Sequence, residues 1–190
     1  MFDSQCDVAA IVYSRKDDPD GLLQEFVTDL KRLGFRLTGL IQCARVFGSA
    51  ADHVSFMMLP EDAIVRLAHN IDGGPGGCGL APNALIEAAS SIALAISRGA
   101  DLLIVNRFGK MEVEGRGLVD EICQAIVADI PVLVTVPEQH FTTWTRFSKG
   151  MSVKLRCSRK QLDEWWRAVC GRSGITQSTQ LASTFCEVAK

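Results

Sequence analysis

Residues 7–14 read DVAAIVYS, residues 101–106 read DLLIVN and residues 131–136 read PVLVTV. Each is a short, unbroken apolar run, which is typical of a strand buried on both faces of a parallel sheet. The segments between these runs carry apolar residues at helical spacing, so strands and helices alternate along the chain. Such alternation favours right-handed crossovers between parallel neighbours. The sequence therefore predicts a three-layer α/β domain, a mostly parallel sheet with helices on both of its faces.

Cap and turn residues predict where the other elements begin and end. Asp18 followed by Pro19 is expected to start the first helix, and Gly34 to end it. Two apolar stretches around the turn at 60–62 predict a β-hairpin insertion. The remaining patterns predict a strand over 36–43, a helix from Pro82 to Gly99, a helix from Leu118 to Ile126, an aromatic core helix within 139–149, an edge strand over 151–155 and a last helix capped by Ser158 and Gln161.

Composition places the chain among globular proteins, because 47% of its 190 residues are hydrophobic and 22% are charged. Residues 1–171 are predicted to form a single α/β domain, and residues 172–190 a tail that is mobile or docks on a partner subunit. A net charge of -2 gives no broad basic field, so no nucleic-acid partner is expected. Without a basic leader or an apolar run of membrane-spanning length, the protein is expected in the cytoplasm and not in a membrane.

The seven cysteines are scattered and form no C-x-x-C pair, so reduced thiols are expected. Cys43 and Cys123 lie in apolar patterns, where cysteine behaves as a small buried hydrophobic residue. His53 and His69 flank the hairpin and lack the spacing of zinc ligands. No metal site is therefore predicted from these residue types.

Ligands in an open parallel sheet bind beyond the carboxyl ends of its strands. The loop after the first strand, residues 14–21, occupies the place of a phosphate-binding loop but lacks the pattern G-x-x-x-x-G-K-[ST]. Without those glycine amides and that lysine, conventional ATP or GTP hydrolysis is not expected. The candidate ligand-binding residues at this edge are Lys110, Arg107, Asn106, Arg15, Ser14 and Lys16.

Residues 106–117, NRFGKMEVEGRG, form the richest loop of the chain. Its length exceeds that of common connections, which favours a functional loop over a merely solvated, salt-bridged one. Its cations could hold an oxyanion, while Glu112 or Glu114 could position a metal or a water. Lys110 is expected to reach across the cleft with its stem packed on Phe108 or Met111, or else to pair structurally with one of the two glutamates.

Two further features border the same edge. Residues 74–79, GPGGCG, formally match a dinucleotide-binding pattern, but Pro75 interrupts it and no ribose-binding carboxylate follows, so a dinucleotide cofactor is not predicted. Cys78 and Asn83 either border the site or serve the turn. His140 follows the run PVLVTVPE and is a candidate acid, base or oxyanion donor, with a capping or surface role as the alternative.

Residues 7–150 resemble an uncharacterised bacterial family of domains of unknown function, DUF2478, whose members are often associated with molybdate-transport genes. The resemblance rests on VAAIVYS, GLIQ, GGCGLAPNAL, PVLVTVPEQHFTTW and above all NRFGKMEVEGRG. That family is in turn similar to nucleoside-triphosphatase proteins in which a strand ends in Asp-Glu and continues into Gly-x-Met-Glu. Here Asn106 and Arg107 replace the acidic pair, while Gly109, Met111 and Glu112 fit the pattern. The resemblance implies a degenerate P-loop-like scaffold that kept its binding cleft and lost metal-assisted hydrolysis.

The leading hypothesis is a non-hydrolytic binding protein for a small anion: molybdate, phosphate or the phosphate of a nucleotide. One alternative is a residual nucleotide phosphohydrolase using Glu112 or Glu114, the one case in which a Mg²⁺ cofactor is expected. Another is a structural or regulatory interaction protein without a small ligand. A homodimer is also predicted, because Trp165 and Trp166 diverge by about 100° on a helix and are not expected to share one core.

Overall fold

A computed structural model of the chain describes residues 6–43, 55–59, 61–66 and 82–173. Seven strands lie in this part of the chain: β1 (Val8–Tyr13), β2 (Leu37–Gln42), β3 (Ser55–Leu59), β4 (Ala63–Arg66), β5 (Leu102–Val105), β6 (Val132–Pro137) and β7 (Val153–Arg156). They form one sheet in the order β4-β3-β2-β5-β6-β1-β7. The five strands from β2 to β7 in that order are parallel, and β3 and β4 add an antiparallel hairpin at one edge. The predicted parallel sheet with a hairpin insertion is confirmed.

The helices lie on both faces of this sheet. They are α1 (Pro19–Arg32), α2 (Pro82–Ser97), α3 (Lys110–Val113), α4 (Val119–Val127), α5 (Phe141–Phe147) and α6 (Arg159–Ser173), with a 3-10 turn at Glu138–His140. One hydrophobic core joins the sheet to α1 and α6, and the other joins it to α2, α4 and α5. Alternate residues of β1 serve opposite cores, since Ile11 belongs to the first and Ala10 to the second. The three-layer prediction is confirmed.

Local signals set the ends of α1 as predicted. Asp18 Oδ1 accepts from the backbone N–H of Gly21 at 2.9 Å, and Pro19 takes the first helical position. Gly34, with a φ of 81°, ends the helix in the left-handed region. The start of α6 differs from its prediction, because Gln161 accepts from the backbone N–H of Arg156 at 2.7 Å. The predicted capping box would have brought that side chain to Ser158.

Both adjacent tryptophans of α6 are buried in the same core, so the prediction that one of them lies at its edge is wrong. Trp165 is 0% exposed and Trp166 is 5% exposed. Trp165 donates its Nε1–H to the Cys6 carbonyl at 2.9 Å, while Trp166 packs edge-on against Phe26 and Phe35. Helix α6 is enclosed along a wide side by α1 and the sheet, so directions about 100° apart both meet protein. The homodimer stays a prediction, but the two tryptophans no longer support it, because both are buried within the chain.

Gly39 lies where β2 meets β5. It adopts a φ of 133°, and a Cβ on it would lie 1.9 Å from the carbonyl oxygen of Ile104. The close approach of these two backbones therefore requires glycine. This contact fixes β2 beside β5, with the hairpin beyond it.

Several predictions fall outside the described residues: the tail beyond residue 173, the glycine-rich loop with Cys78, and both hairpin histidines. The side chain of Asn83 is outside them as well. Cys123 is exposed and Cys43 only partly buried, so Cys123 is not the buried residue that its apolar pattern predicts. It lies on the outer side of α4, where the helical period turns it away from the sheet. In the described part of the chain, no helix combines the length and the apolar character needed to span a bilayer.

Candidate functional site

The carboxyl ends of β5, β6 and β1 lie side by side, because the three strands are parallel neighbours in the sheet. Tyr13 ends β1, Asn106 and Arg107 follow β5, and Thr135 lies near the end of β6. The first turn of α1 brings Asp20 to the same edge. These five side chains form a connected polar group, called here the edge network.

Asn106 is the centre of the edge network and is 2% exposed. Its Oδ1 accepts from Thr135 Oγ1 at 2.6 Å, and its Nδ2 donates to Asp20 Oδ1 at 2.8 Å. A donor on one side and a carboxylate on the other fix the orientation of the amide. Asn106, a candidate ligand-binding residue, is thus engaged by protein at both ends and links β5 to β6 and α1.

Arg107 lies at the outer side of the edge network. Its Nη2 is 3.6 Å from Asp20 Oδ2, and its Cζ lies 5.6 Å from the centroid of the Tyr13 ring. Burial raises the pKa of Tyr13 to about 12, with Arg107 opposing the shift and Asp20 adding to it. The phenol is therefore neutral at physiological pH. The Arg107 side chain remains 39% exposed, so part of the guanidinium faces solvent.

Aspartate side chains within the loop after β1 accept hydrogen bonds from the same loop. The backbone N–H and hydroxyl of Ser14 both donate to Asp17 Oδ2, at 2.7 and 2.8 Å, and these bonds lower the pKa of Asp17. Lys16 donates its backbone N–H to Ser14 Oγ at 3.3 Å, while its side chain and that of Arg15 are exposed. A phosphate-binding loop offers backbone donors to its ligand, whereas here the backbone N–H groups of Ser14 and Gly21 donate to aspartate side chains and that of Lys16 donates to a hydroxyl.

Burial and the aspartates of this loop raise the pKa values of two nearby thiols. Burial, followed by the charges of three aspartates, raises the pKa of Cys157 to about 11. Burial and Asp20 raise the pKa of Cys43. Both thiols are therefore neutral at physiological pH and are not activated nucleophiles. The α1 side of the edge is anionic, so an anion is better accommodated on the Arg107 side.

Glu112 folds the loop after β5. Its Oε2 accepts from the backbone N–H of Gly109 at 2.9 Å, and its Oε1 from that of Leu118 at 3.4 Å. Gly117 has a φ of 68°, and a Cβ there would lie 2.0 Å from the Glu112 Oε1. Backbone donors thus occupy both carboxylate oxygens. Glu112 therefore helps to hold the loop in shape, and its role as a metal or water ligand stays a prediction.

Lys110 and Glu114 lie on the outer side of the same loop. Lys110 begins α3, is 82% exposed and has its Nζ 4.0 Å from Glu114 Oε1. Glu114 also pairs with Arg116. An exposure of 82% leaves the Lys110 stem unpacked, contrary to prediction, and Phe108 is itself fully buried against Trp144. The structure thus shows the structural pairing of Lys110 and leaves its ammonium accessible.

His140 ends the 3-10 turn after β6 and is partly buried at the same edge of the sheet. Among the residues that the structure describes, no three or more His, Cys, Asp or Glu side chains are grouped to hold a metal ion. Neither result assigns His140 a catalytic role.

Residues 8–165 match the family described as "Protein of unknown function (DUF2478)". The chain belongs to this family. It is 37% identical over 166 residues to the "Molybdenum import ATP-binding protein ModC 2" of Bradyrhizobium diazoefficiens. That match covers 87% of this chain but 18% of the relative, so the chain corresponds to a small part of the longer protein.

The fold of this DUF2478 chain has a solved counterpart in THEP1 from the hyperthermophile Aquifex aeolicus. The TM-score is 0.59 at 18% identity, with 82% of this chain and 92% of that chain covered. The likeness shows that the two chains share a three-layer α/β fold. The predicted family and fold are both confirmed.

Three members of the edge network were missed by sequence reasoning: Asp20, Tyr13 and Thr135. Weak signals exist for two of them. Tyr13 is the one tyrosine of the chain and ends a strand, and Thr135 is the one polar residue within PVLVTV. Asp20 shares its segment with two other aspartates, and nothing local shows which carboxylate meets Arg107.

Proposed function

We propose that this DUF2478 domain binds a small tetrahedral oxyanion on the Arg107 side of the edge network without hydrolysing it. The observation that carries this proposal is the state of Arg107 itself. Its guanidinium is held by Asp20 and the Tyr13 ring, yet remains 39% exposed at the carboxyl edge of a parallel sheet. That edge is where ligands bind in this class of fold.

The chemistry of Arg107 suits an oxyanion. A guanidinium is planar, permanently charged and presents paired N–H donors that match the oxygens of phosphate-like groups. Lys110 and Arg116 add exposed positive charge on the same loop. Molybdate, phosphate and a nucleotide phosphate share the required geometry, and the name of the relative, a molybdenum import ATP-binding protein, favours molybdate or ATP. We place this binding in the cytoplasm, where reduced cysteines are expected.

Two features support binding without hydrolysis. Asn106 and Arg107 stand at the end of β5, where the related nucleoside-triphosphatases carry an acidic pair. Glu112, the remaining carboxylate of that pattern, is held by the backbone N–H groups of Gly109 and Leu118. The one carboxylate of the edge network, Asp20, is engaged by Asn106 and Arg107, so a residual phosphohydrolase would need another carboxylate for a metal or a water.

Isothermal titration of the full chain against molybdate, tungstate, phosphate and ATP tests the proposal. We expect at least one of these to bind, and Arg107→Gln to weaken that binding by about 1.5 to 3 kcal/mol, as for a charge-assisted hydrogen bond. Arg36→Gln is the matched control, because Arg36 pairs with Asp101 at the amino ends of β2 and β5, away from the proposed site. The control should bind normally. Absence of heat for all four anions would overturn the proposal.

Lys110→Ala separates binding from structure at the second cation. If Lys110 contacts the anion, affinity falls while the melting temperature of the ligand-free protein changes little. If its partner is only Glu114, affinity is unchanged and stability falls by less than about 1 kcal/mol, as for an exposed ion pair. Phosphate release from ATP that depends on Mg²⁺ would contradict the non-hydrolytic part of the proposal.

A further inference from the structure

Asp20 meets both polar residues that follow β5. Its Oδ1 accepts from Asn106 Nδ2 at 2.8 Å, and its Oδ2 lies 3.6 Å from Arg107 Nη2. The Asp20 side chain is only 17% exposed. One oxygen thus faces an amide donor, and the other faces the guanidinium at which we propose that the oxyanion binds.

We propose that Asp20 is a tethered competitor of the anion: its carboxylate occupies Arg107 in the ligand-free protein and gives up that contact when an oxyanion binds. The inference deepens the proposed function and rests on it. Asp20 lies in the first turn of α1, where the helix dipole favours negative charge. Ligand phosphates in related folds lie against that same helix N-terminus.

The two contacts of Asp20 differ in strength. The bond to Asn106 has ordinary length and is supported from behind by Thr135 Oγ1 at 2.6 Å. The 3.6 Å contact with Arg107 is longer than a charge-assisted hydrogen bond of about 2.7–2.9 Å. A guanidinium has five N–H donors, so Arg107 retains donors for a second partner. Asp20 is therefore anchored on the Asn106 side and exchangeable on the Arg107 side.

Arg107 is the charge partner that the structure shows for Asp20. The thiols of Cys43 and Cys157 lie within its field but stay neutral, because burial and the nearby aspartates raise their pKa values. When an anion takes Arg107, the Asp20 carboxylate is left beside it without that compensation. This repulsion lowers the affinity of the native protein for the anion.

Titration of molybdate and of phosphate into wild type, Asp20→Asn and Asp29→Asn tests the inference. Asparagine keeps the acceptor for Asn106 and removes only the charge, so we expect tighter binding, on the order of tenfold. Asp29→Asn is the matched control, because Asp29 is also an α1 aspartate paired with an arginine, Arg159. It should bind like wild type. Asp20→Ser serves as a second variant if the first unfolds.

A second measurement follows Arg107 directly. The chain has one tyrosine, so isotope-labelled tyrosine gives the ring signal of Tyr13 alone. We expect this signal to shift in Asp20→Asn before any ligand is added, because Arg107 lies over the ring and loses its partner. In each variant that binds molybdate by titration, added molybdate should shift the Tyr13 signal further.

The outcomes separate the two proposals. Equal or weaker binding by Asp20→Asn than by wild type overturns the inference and leaves the proposed function standing. Binding by Asp20→Asn alone supports the inference and contradicts the proposed function for the native chain. Silence of every variant overturns both.

Discussion

At the scale of single residues, the loop after β5 depends on one carboxylate and one glycine. Glu112 receives two backbone N–H groups, and Gly117 lies so close to its side chain that a Cβ would overlap Oε1. These contacts make Glu112 a clasp of the loop, meaning that its side chain joins Gly109 to Leu118.

Gly117→Ala should open this clasp, whereas Gly115→Ala should not. Both glycines have positive φ, 68° and 73°, so both variants carry similar backbone strain of about 1 kcal/mol. Only at Gly117 must the Glu112 side chain also move and release its backbone donors. We expect Gly117→Ala to lose about 1 to 3 kcal/mol more stability in urea unfolding. Equal losses in the two variants would mean that the clasp contributes nothing.

Glu121 supplies a prediction for the pH dependence of stability. It is 7% exposed, and its Oε2 has no hydrogen-bond partner among the described residues. Burial raises the pKa of Glu121, so the folded state binds this proton more tightly than the unfolded state does. Its favourable contribution to the free energy of unfolding is fully present below the ordinary glutamate pKa and is lost as the pH rises through the raised pKa of the folded state.

Glu121→Gln should therefore be more stable than wild type at pH 7 and nearly equal to it at pH 4. The expected gain is about 1 kcal/mol, or roughly 2–4 °C in melting temperature. Glu25→Gln, at an exposed position of α1, is the charge control and should change little at either pH. A difference between wild type and Glu121→Gln that is the same at both pH values would contradict the assignment.

At the scale of elements, the sheet depends on how closely β2 approaches β5. Gly39 pairs with Ile104 across these strands, and its missing side chain lets the two backbones meet. The hairpin of β3 and β4 continues the sheet beyond β2. The close approach at Gly39 therefore joins β2, which carries the hairpin, to the central strand β5.

Gly39→Ala should destabilise the protein by more than about 3 kcal/mol or prevent folding, because a Cβ would lie 1.9 Å from a backbone oxygen. Gly34→Ala is the matched control: its φ is also positive, at 81°, but nothing lies within 4 Å of an added Cβ. The control should lose only about 1 kcal/mol through backbone strain. Urea unfolding of both variants measures the difference, and similar losses would contradict the close approach.

At the scale of the whole molecule, α6 joins the end of the described chain to its beginning. Trp165 donates to the carbonyl of Cys6, and Arg172 pairs with Asp7 at 2.6 Å. Both contacts lie beside β1, whose carboxyl end carries Tyr13. The helix that closes the first core therefore also secures the strand that leads to the edge network.

Replacing each tryptophan of α6 by phenylalanine should give unequal costs. Trp165→Phe loses the bond to Cys6 and leaves that carbonyl without it, whereas the Trp166 Nε1 has no partner among the described residues. The losses of buried area are similar, so we expect Trp165→Phe to cost about 1 to 2 kcal/mol more. Chemical unfolding of the two variants provides the measurement. Identical costs would show that the Cys6 bond contributes nothing.

The sequence by itself determined the elements and the edge of the sheet at which polar residues gather. Apolar runs, helical spacing and the residues at Pro19 and Gly34 act through neighbours a few positions away, so they can be interpreted without the fold. A parallel sheet then obliges the loops after β1, β5 and β6 to share one edge. For that reason Asn106 and Arg107 could be placed at the edge before any contact was known.

Only the tertiary structure decided which side chains meet there. Asn106 and Asp20 are 86 residues apart in sequence, and they touch because α1 connects β1 to β2 and so passes across β6 and β5, which lie between those two strands. The burial of both α6 tryptophans likewise depends on how widely α1 and the sheet enclose that helix. Strand order and enclosure result from packing the whole chain, and local periodicity carries no information about either.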